Sequence, residues 1–201
     1  PNYDLTVEPT GYARRGVDLF GNLRYLTDSS RGSLEGNYLP DDRLVGSNRS
    51  RLQLTSSTEL PRDWQLRINA QNVSDASYFE DFAQGADGTS VAFLPRQLAL
   101  SYRDATWRSG LVVRNYQTID SSLAAADRPY TELPRLYAQG QWNSSLLRGL
   151  SYGLDTEAVD FKRNTGAQGW RLDLRPRIDL RAEGAGWFVR PGVAWQDTRY
   201  R

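Results

Sequence analysis

Two of the residue types that most often carry catalysis or bind metals are missing from this sequence. Histidine and cysteine are both absent from its 201 residues. This excludes a Ser-His or Cys-His nucleophile pair, a reactive thiolate, the common zinc sites and any disulfide within the chain. One group that could do such chemistry is three carboxylates, Asp75, Glu80 and Asp81, in the stretch SDASYFEDF (74–82).

Carboxylates of this kind bind calcium or act as acid and base, but their spacing here is not that of an EF-hand loop. The aromatic residues among them favour a structural interpretation. We expect an external loop that packs over the mouth of the fold through Tyr78, Phe79 and Phe82. The sequence therefore predicts no metal site, no cofactor and no catalytic residue in this chain.

The bulk composition narrows the class of protein. The net charge is only +1, from 25 basic and 24 acidic side chains, so nothing points to a nucleic-acid partner. No run of 18 apolar residues occurs and the mean hydropathy is −0.63, which excludes transmembrane helices. Because the sequence starts at Pro1 without a leader segment, we expect a piece of a longer protein.

The spacing of apolar residues along the sequence predicts the secondary structure that positions the charged residues. In WRLDLRPRIDLR (170–181) the even positions are apolar and the odd positions are all charged, and a period of two indicates a β-strand. Similar alternation recurs along the chain, without sustained helical spacing. We predict an all-β fold, an antiparallel up-and-down meander of about eleven long strands. The predicted strands are 3–13, 17–27, 33–39, 50–60, 64–74, 91–103, 107–118, 134–143, 150–161, 169–181 and 187–197.

Strand length and connection length both indicate a membrane-spanning sheet. Strands of soluble proteins cluster near ~5–6 residues, whereas most of these have the ~9–11 residues of a tilted membrane-spanning strand. Short turns alternate with longer polar loops, as in outer-membrane barrels, although the first two connections are both short. The short turns are 61–63, 104–106, 143–149 and 182–186, and the longer loops are 40–48, 75–90, 120–133 and 162–168. We predict that residues 1–201 form a single domain, part of a large transmembrane β-barrel.

Four of the six tryptophans lie beside short turns. Trp64, Trp107 and Trp187 directly follow such turns and Trp142 precedes one. Indole rings prefer the headgroup level of a membrane, and barrels carry aromatic girdles there. We therefore predict that these four residues lie at one membrane interface.

Alternation alone does not distinguish a soluble sandwich from a membrane barrel. The apolar face includes Gly11, Gly21, Gly36 and Ala70, small residues that would underfill a folded core. Arginine on a lipid-facing surface costs about 2–4 kcal/mol at the midplane, so the charged face is predicted to line a water-filled lumen. The predicted lumen-facing residues are Asp4, Glu8, Arg67, Arg171, Asp173, Arg175, Arg177 and Asp179.

Four stretches resemble one known family. They are VSDASYFEDF (73–82), YLPDDR (38–43), YTELPRLYAQGQW (130–142) and RPRIDL (175–180). Their order and spacing are similar, over essentially the whole chain, to the barrel domain of LptD, also called Imp or OstA. This is a family of lipopolysaccharide-assembly proteins in the outer membrane of Gram-negative bacteria.

The resemblance implies a large antiparallel barrel that holds a plug lipoprotein, LptE, in its lumen. Lipopolysaccharide would arrive over a periplasmic bridge, and its lipid part would leave through a seam between the first and last strands. The family's N-terminal jelly roll, its C-terminal strands and its disulfide cysteines are not in this sequence. The resemblance therefore covers the N-terminal part of the barrel, fewer than half of its strands.

Proline in the first predicted strand marks a candidate gate. The family has prolines in early strands near the seam, and Pro9 matches one of them. We expect Pro9 to weaken strand pairing and ease lateral opening, the alternative being a proline that is merely tolerated at an edge. Pro176 and Pro191 lie in later predicted strands, so a strand proline is not unique to a gate.

Three functions follow from these predictions. The leading one is lipopolysaccharide transport without catalysis. The second is an outer-membrane hydrolase whose catalytic residues lie outside this sequence. The third is a soluble, β-rich carbohydrate-binding protein that stacks sugars on its tryptophans.

Overall fold

The computed structural model describes residues 2–82 and 91–201, most of which lie in one antiparallel sheet. Ten long strands follow one another, and the order of strands in the sheet is their order in the sequence. They are β1 (Tyr3–Tyr12), β2 (Gly16–Leu26), β3 (Ser30–Asp42), β4 (Ser47–Leu60), β5 (Trp64–Val73), β6 (Phe93–Arg103), β7 (Trp107–Thr118), β8 (Thr131–Asn143), β9 (Leu150–Lys162) and β10 (Gly169–Leu180). The predicted all-β meander is confirmed.

The prediction of one continuous strand over 187–197 is wrong. After β10 the chain adds β11 (Ala182–Gly184), turns, and returns in three pieces, β12 (Trp187–Val189), β13 (Gly192–Ala194) and β14 (Asp197–Tyr200). The strand β12 pairs with β11, while β13 and β14 pair with β10.

Two prolines explain the breaks in this last hairpin. The backbone N–H of Leu180 donates to Pro191 O at 2.9 Å, and the N–H of Trp195 donates to Pro176 O at 3.1 Å. A hydrogen-bonded pair of an antiparallel ladder normally exchanges two N–H···O bonds, and each of these prolines lacks the N–H for the second one. The ladder is therefore interrupted between β12 and β13 and again between β13 and β14.

Two other predicted boundaries also change. The loop predicted over 40–48 shrinks to a turn at 43–46, because β3 and β4 extend toward each other past a bulge between Leu39 and Asp42. The loop predicted over 75–90 contains a short helix, α1 (Tyr78–Phe82), and its remaining residues, 83–90, lie outside the described part of the chain. A 3-10 turn, Ala125–Asp127, lies in the connection between β7 and β8.

The connections differ between the two ends of the sheet. One end, here the long-loop end, carries residues 13–15, 43–46, 74–82, 91–92, 119–130 and 163–168. The other, the short-turn end, carries residues 27–29, 61–63, 104–106, 144–149 and 185–186. The predicted alternation of short turns and longer loops thus holds from β5 onward, whereas 13–15 and 43–46 at the long-loop end are short turns.

The sheet is curled but, within the described residues, open. The strand β1 pairs only with β2, and β13 and β14 form the opposite edge. Residues from β2 to β10 and from β14 line one concavity of about 1310 Å³. No helix among the described residues is long and apolar enough to span a membrane.

Candidate functional site

The concave face of the sheet carries the charged side of the alternation. Arg67, Arg171 and Asp173 line the large concavity directly. Arg177 lines a smaller pocket beside it, together with Asp155. The strand register therefore brings predicted residues from β5 and β10 onto one polar surface.

Ion pairs between neighbouring strands cross this concave face. Glu157 on β9 accepts hydrogen bonds from Arg135 on β8, at 2.6 Å, and from Arg171 on β10. Arg177 donates to Asp155 at 2.7 Å. Such lateral pairing lets a wet surface hold many charges with nearly zero net charge.

The other predicted lumen residues share this face but differ in their partners. Asp4 on β1 accepts a hydrogen bond from Arg24 on β2. Asp179 lies 3.7 Å from the Arg177 guanidinium. Glu8 and Arg175 alternate in register with these residues, opposite Phe20 and Asp155 respectively.

The convex face carries the apolar side of the alternation and is exposed. Val7, Leu172 and Ile178 are 62%, 50% and 51% exposed, values that a soluble sandwich would not leave on its inward face. Charged side chains occur on this face near the long-loop end, where Arg96 lies opposite Ala70 and Lys162 pairs with Asp160 at 3.3 Å. They also occur on the last strand, where Arg199 pairs with Asp197 at 2.7 Å. From β1 to β10 the convex face is therefore uncharged away from the long-loop end, whereas β14 carries charges.

The four predicted tryptophans all lie at the short-turn end, on the convex side. The rings of Trp107 and Trp142 stack with centroids 5.7 Å apart, and Trp64 packs on Tyr102 at 5.3 Å. Gly140 allows this stack, because an added Cβ would lie 2.7 Å from the Trp107 ring. Trp187 is 55% exposed at the same end. Together they form a band of aromatic rings at one level of the sheet.

Pro9 lies on the edge strand β1, opposite Leu19. The N–H of Leu26 donates to Asn2 O at 2.8 Å, which makes their rung a hydrogen-bonded pair. Hydrogen-bonded and non-hydrogen-bonded pairs alternate along an antiparallel ladder, so Pro9 and Leu19 form a non-hydrogen-bonded pair. The nitrogen of Pro9 therefore points away from β2, and the missing donor belongs to the free edge.

A buried cluster of charges lies at the long-loop end, and sequence reasoning did not predict it. Arg49 on β4 is 1% exposed and donates to both carboxylate oxygens of Asp75, at 2.9 and 2.7 Å. Arg49 also donates to Asp81 on α1, and its guanidinium lies 3.6 Å from Asp42. Two of the three carboxylates considered for calcium are thus bound by arginine.

Arg15 ties the first hairpin to the same cluster. Its guanidinium donates to Asp42 at 2.6 Å and to Asp81 at 2.7 Å. It also lies 5.1 Å from the centroid of the Phe82 ring. The segment 75–82, which we name the cap, is therefore connected both to β4 and to the turn between β1 and β2.

Apolar contacts hold the cap as well. Tyr78 is buried in a small cluster with Val73, Leu94 and Ile119, against which Phe79 and Phe82 pack. Burial raises the pKa of Tyr78 to about 12, and the nearby charge of Asp18 adds to this effect. The expectation that the aromatic residues of this stretch pack over the mouth agrees with these contacts.

The environment of Asp75 favours its charged form. Burial alone would raise its pKa, but hydrogen bonds from Ser74, Arg49 and Ser77 outweigh burial and hold the pKa below its usual value. Asp75 is therefore an anchor for the cap rather than a proton donor at neutral pH.

An antiparallel meander with an apolar convex face and a charged concave face defines a section of the wall of an outer-membrane type of β-barrel. Comparison with known protein families identifies the family to which this barrel wall belongs. Residues 47–201 match the model of the family LptD, LPS transport system D, and the chain belongs to this family.

Individual relatives agree over the whole chain. The LPS-assembly protein LptD of Alkalilimnicola ehrlichii is 35% identical over 207 residues, which cover 100% of this chain and 27% of the relative. That of Bordetella avium is 32% identical over 210 residues and that of Xanthomonas campestris pv. campestris 31% over 231, covering 26% and 28% of those relatives. The chain thus spans about a quarter of the length of the relatives that it matches.

Proposed function

We propose that this chain forms part of the wall of a barrel that carries lipopolysaccharide into the outer leaflet of the outer membrane of a Gram-negative bacterium. The observation that supports this most strongly is the curled sheet, whose concave face holds paired charges while its convex face exposes large apolar residues. Such a wall is stable when the convex face meets lipid and the concave face meets water. The substrate in this proposal, lipopolysaccharide, is inferred from membership of the LptD family.

The orientation follows from the two ends of the sheet. Outer-membrane barrels have short periplasmic turns and longer external loops, so the short-turn end would be periplasmic and the long-loop end external. Trp64, Trp107, Trp142 and Trp187 would then lie at the periplasmic interface. The cap would cover the external mouth of the lumen, and the concave residues, Arg67 and Arg171 among them, would line it.

The edge strand β1 would form one side of the exit seam. Because the nitrogen of Pro9 points to the free edge, a strand arriving from the rest of the protein finds one donor fewer there. This would weaken the seam without weakening β1 against β2. In this proposal no residue of the chain is catalytic, transport depending on the polar lumen and the parting seam.

The partners in this proposal lie outside the chain. A plug lipoprotein of the LptE type would occupy the polar lumen, and a periplasmic bridge would deliver lipopolysaccharide through a jelly-roll domain. The charged concave face suits both a folded polar plug and a passing saccharide. Strands beyond this sheet would close the barrel.

Neighbouring residues on opposite faces of β5 provide a matched test. A photoreactive amino acid would be placed at Asn69, on the concave face, or at Ile68, on the convex face, of the full-length protein in its bacterium. Newly made, pulse-labelled lipopolysaccharide should crosslink transiently at Asn69 and disappear from it during the chase, whereas Ile68 should capture only bulk lipid. Absence of any transient product at Asn69, together with normal surface delivery after depletion of the protein, would overturn the proposal.

A further inference from the structure

Two arginines lie directly opposite each other on the concave face at the short-turn end. Arg103 ends β6, Arg108 is the second residue of β7, and the two are cross-strand partners. Both side chains are exposed. Like charges placed directly opposite destabilise an antiparallel pair, so this arrangement requires compensation.

Some arginines of the concave face are compensated by carboxylates. Arg135 lies 2.6 Å from Glu157 and Arg177 lies 2.7 Å from Asp155. Within residues 2–82 and 91–201, no carboxylate lies at ion-pair distance from Arg103 or Arg108. The pair is thus an unneutralised positive site beside the ion pairs of β8, β9 and β10.

The two arginines line a pocket of about 290 Å³, near the lower end of the volumes of ligand pockets, about 300 Å³. Gln139 and Gln141 line it as well and add amide donors. Its two carboxylates are already engaged. Asp155 binds Arg177, and Asp104 accepts hydrogen bonds from the Tyr102 hydroxyl and from the backbone of its own turn.

A second pair of arginines extends the positive surface toward β1. Arg31 on β3 and Arg67 on β5 are both cross-strand partners of Ser57 on β4 and share one rung of the sheet. Both are exposed and line the large concavity. Positive charges therefore recur along the short-turn half of the wall from β7 to β3, where Glu59 on β4, which accepts a hydrogen bond from Gln65, is an intervening carboxylate.

We propose that the pocket of Arg103 and Arg108 binds the phosphate groups carried by the sugars of a phosphorylated glycolipid. Guanidinium groups bind phosphate through paired, charge-assisted hydrogen bonds. A phosphate between the two arginines removes their repulsion and satisfies both. This inference rests on the proposed function, since it names the chemical group of the substrate that binds to the wall at the end where the substrate enters.

The test compares binding to the full-length protein, purified from outer membranes with its luminal partner. The probes are bisphosphorylated lipid A, its dephosphorylated counterpart, and inorganic phosphate. The variant is Arg103→Gln/Arg108→Gln. The control is Arg148→Gln, an exposed arginine in the turn between β8 and β9, at the same end of the sheet.

The double variant should bind bisphosphorylated lipid A about tenfold more weakly, as expected for lost charge-assisted hydrogen bonds, and should bind the dephosphorylated lipid unchanged. The control should resemble the wild-type protein with both lipids. Added salt should weaken wild-type binding of the phosphorylated lipid, because the site is exposed. Unchanged heat-modifiable gel mobility establishes that the variant barrel is folded.

Three results would overturn the inference while leaving lipopolysaccharide transport intact. The first is equal weakening, or none, for the two lipids. The second is inorganic phosphate binding as tightly as the lipid, which would make free phosphate the ligand. The third is loss of the luminal partner from the variant with lipid binding unchanged, which would assign the pocket to acidic residues of that partner. Failure of the wild-type protein to bind either lipid would instead count against the proposed function itself.

Discussion

Removing the Arg49 guanidinium should release the cap. Arg49 donates two hydrogen bonds to Asp75, at 2.9 and 2.7 Å, and a third to Asp81. In Arg49→Met the apolar volume is largely kept and the charge is lost. Asp42 and Asp81 would keep their hydrogen bonds from Arg15, but Asp75 would lose the only cation that the described residues bring to it and stand near these two carboxylates. We therefore expect residues 75–82 to open locally.

The size of the effect follows from burial. Removing one partner of a buried ion pair costs about 3–5 kcal/mol. The side chains of Asp75 and Asp81 are 34% and 27% exposed, so they regain hydration and the lower end of that range applies. About 3 kcal/mol corresponds to a roughly hundredfold increase in the open population, at about 1.4 kcal/mol per factor of ten.

Hydrogen exchange of the full-length protein measures this population. The N–H of Asp81 donates to Ser77 O at 3.1 Å, and a peptide covering 77–82 should exchange about a hundredfold faster in Arg49→Met. Arg14→Met is the matched control, because Arg14 is exposed in the turn that holds Arg15 and its loss should leave exchange unchanged. An increase of less than threefold in Arg49→Met would refute the assignment of Arg49 as the anchor of the cap.

Three further predictions concern the seam, the cap and the last hairpin. Pro9→Ala restores a hydrogen-bond donor at the free edge, worth about 0.5–1.5 kcal/mol. Surface delivery of lipopolysaccharide should fall, while heat-modifiable gel mobility shows normal assembly of the barrel. Undiminished delivery would mean that Pro9 is merely a tolerated edge proline. The pKa of Tyr78 is raised from 10.0 to about 12. The cap should therefore be fully stabilised below pH 10 and lose that stabilisation as the pH rises through 12, so hydrogen exchange of residues 77–82 should accelerate over this window. If the same acceleration persists in Tyr78→Phe, Tyr78 is excluded as its cause. Pro176→Val supplies the missing N–H opposite Trp195 and should stabilise the last hairpin by about 0.5–1.5 kcal/mol, seen as slower exchange of residues 192–200; faster exchange there would show that the break has another cause.

The regular part of the fold was predictable because its signal is local. Each side chain of β10 shows its face through a period of two, and the exposed Leu172 and the concave Arg171 follow that period. The interrupted last strand was missed for a different reason. Pro191 breaks the strand in which it lies. Pro176 lies in β10 but interrupts the pairing of the strand opposite, and the position of that break depends on which residue pairs with Pro176.

The cap could not be predicted in the same way. Arg49 and Asp81 are 32 residues apart, and Arg15 and Asp81 are 66 apart, so no local period relates them. Arg49 lies between the predicted loop 40–48 and the predicted strand 50–60, and its burial depends on α1 folding back over the concave face. The aromatic spacing of 78–82 indicated packing over the mouth, but the arginines that hold it there become apparent only in three dimensions.

In the proposed barrel, the concave face of this wall meets water and the convex face meets lipid. Single cysteines at positions 170 to 180 of the full-length protein in outer membranes, reacted with a membrane-impermeant thiol reagent, test it most directly. We expect ready labelling at the odd positions, Arg171, Asp173, Arg175, Arg177 and Asp179, and protection of the even positions between them. Ready labelling of Leu174 with protection of Arg175, or labelling without alternation along the strand, would contradict it.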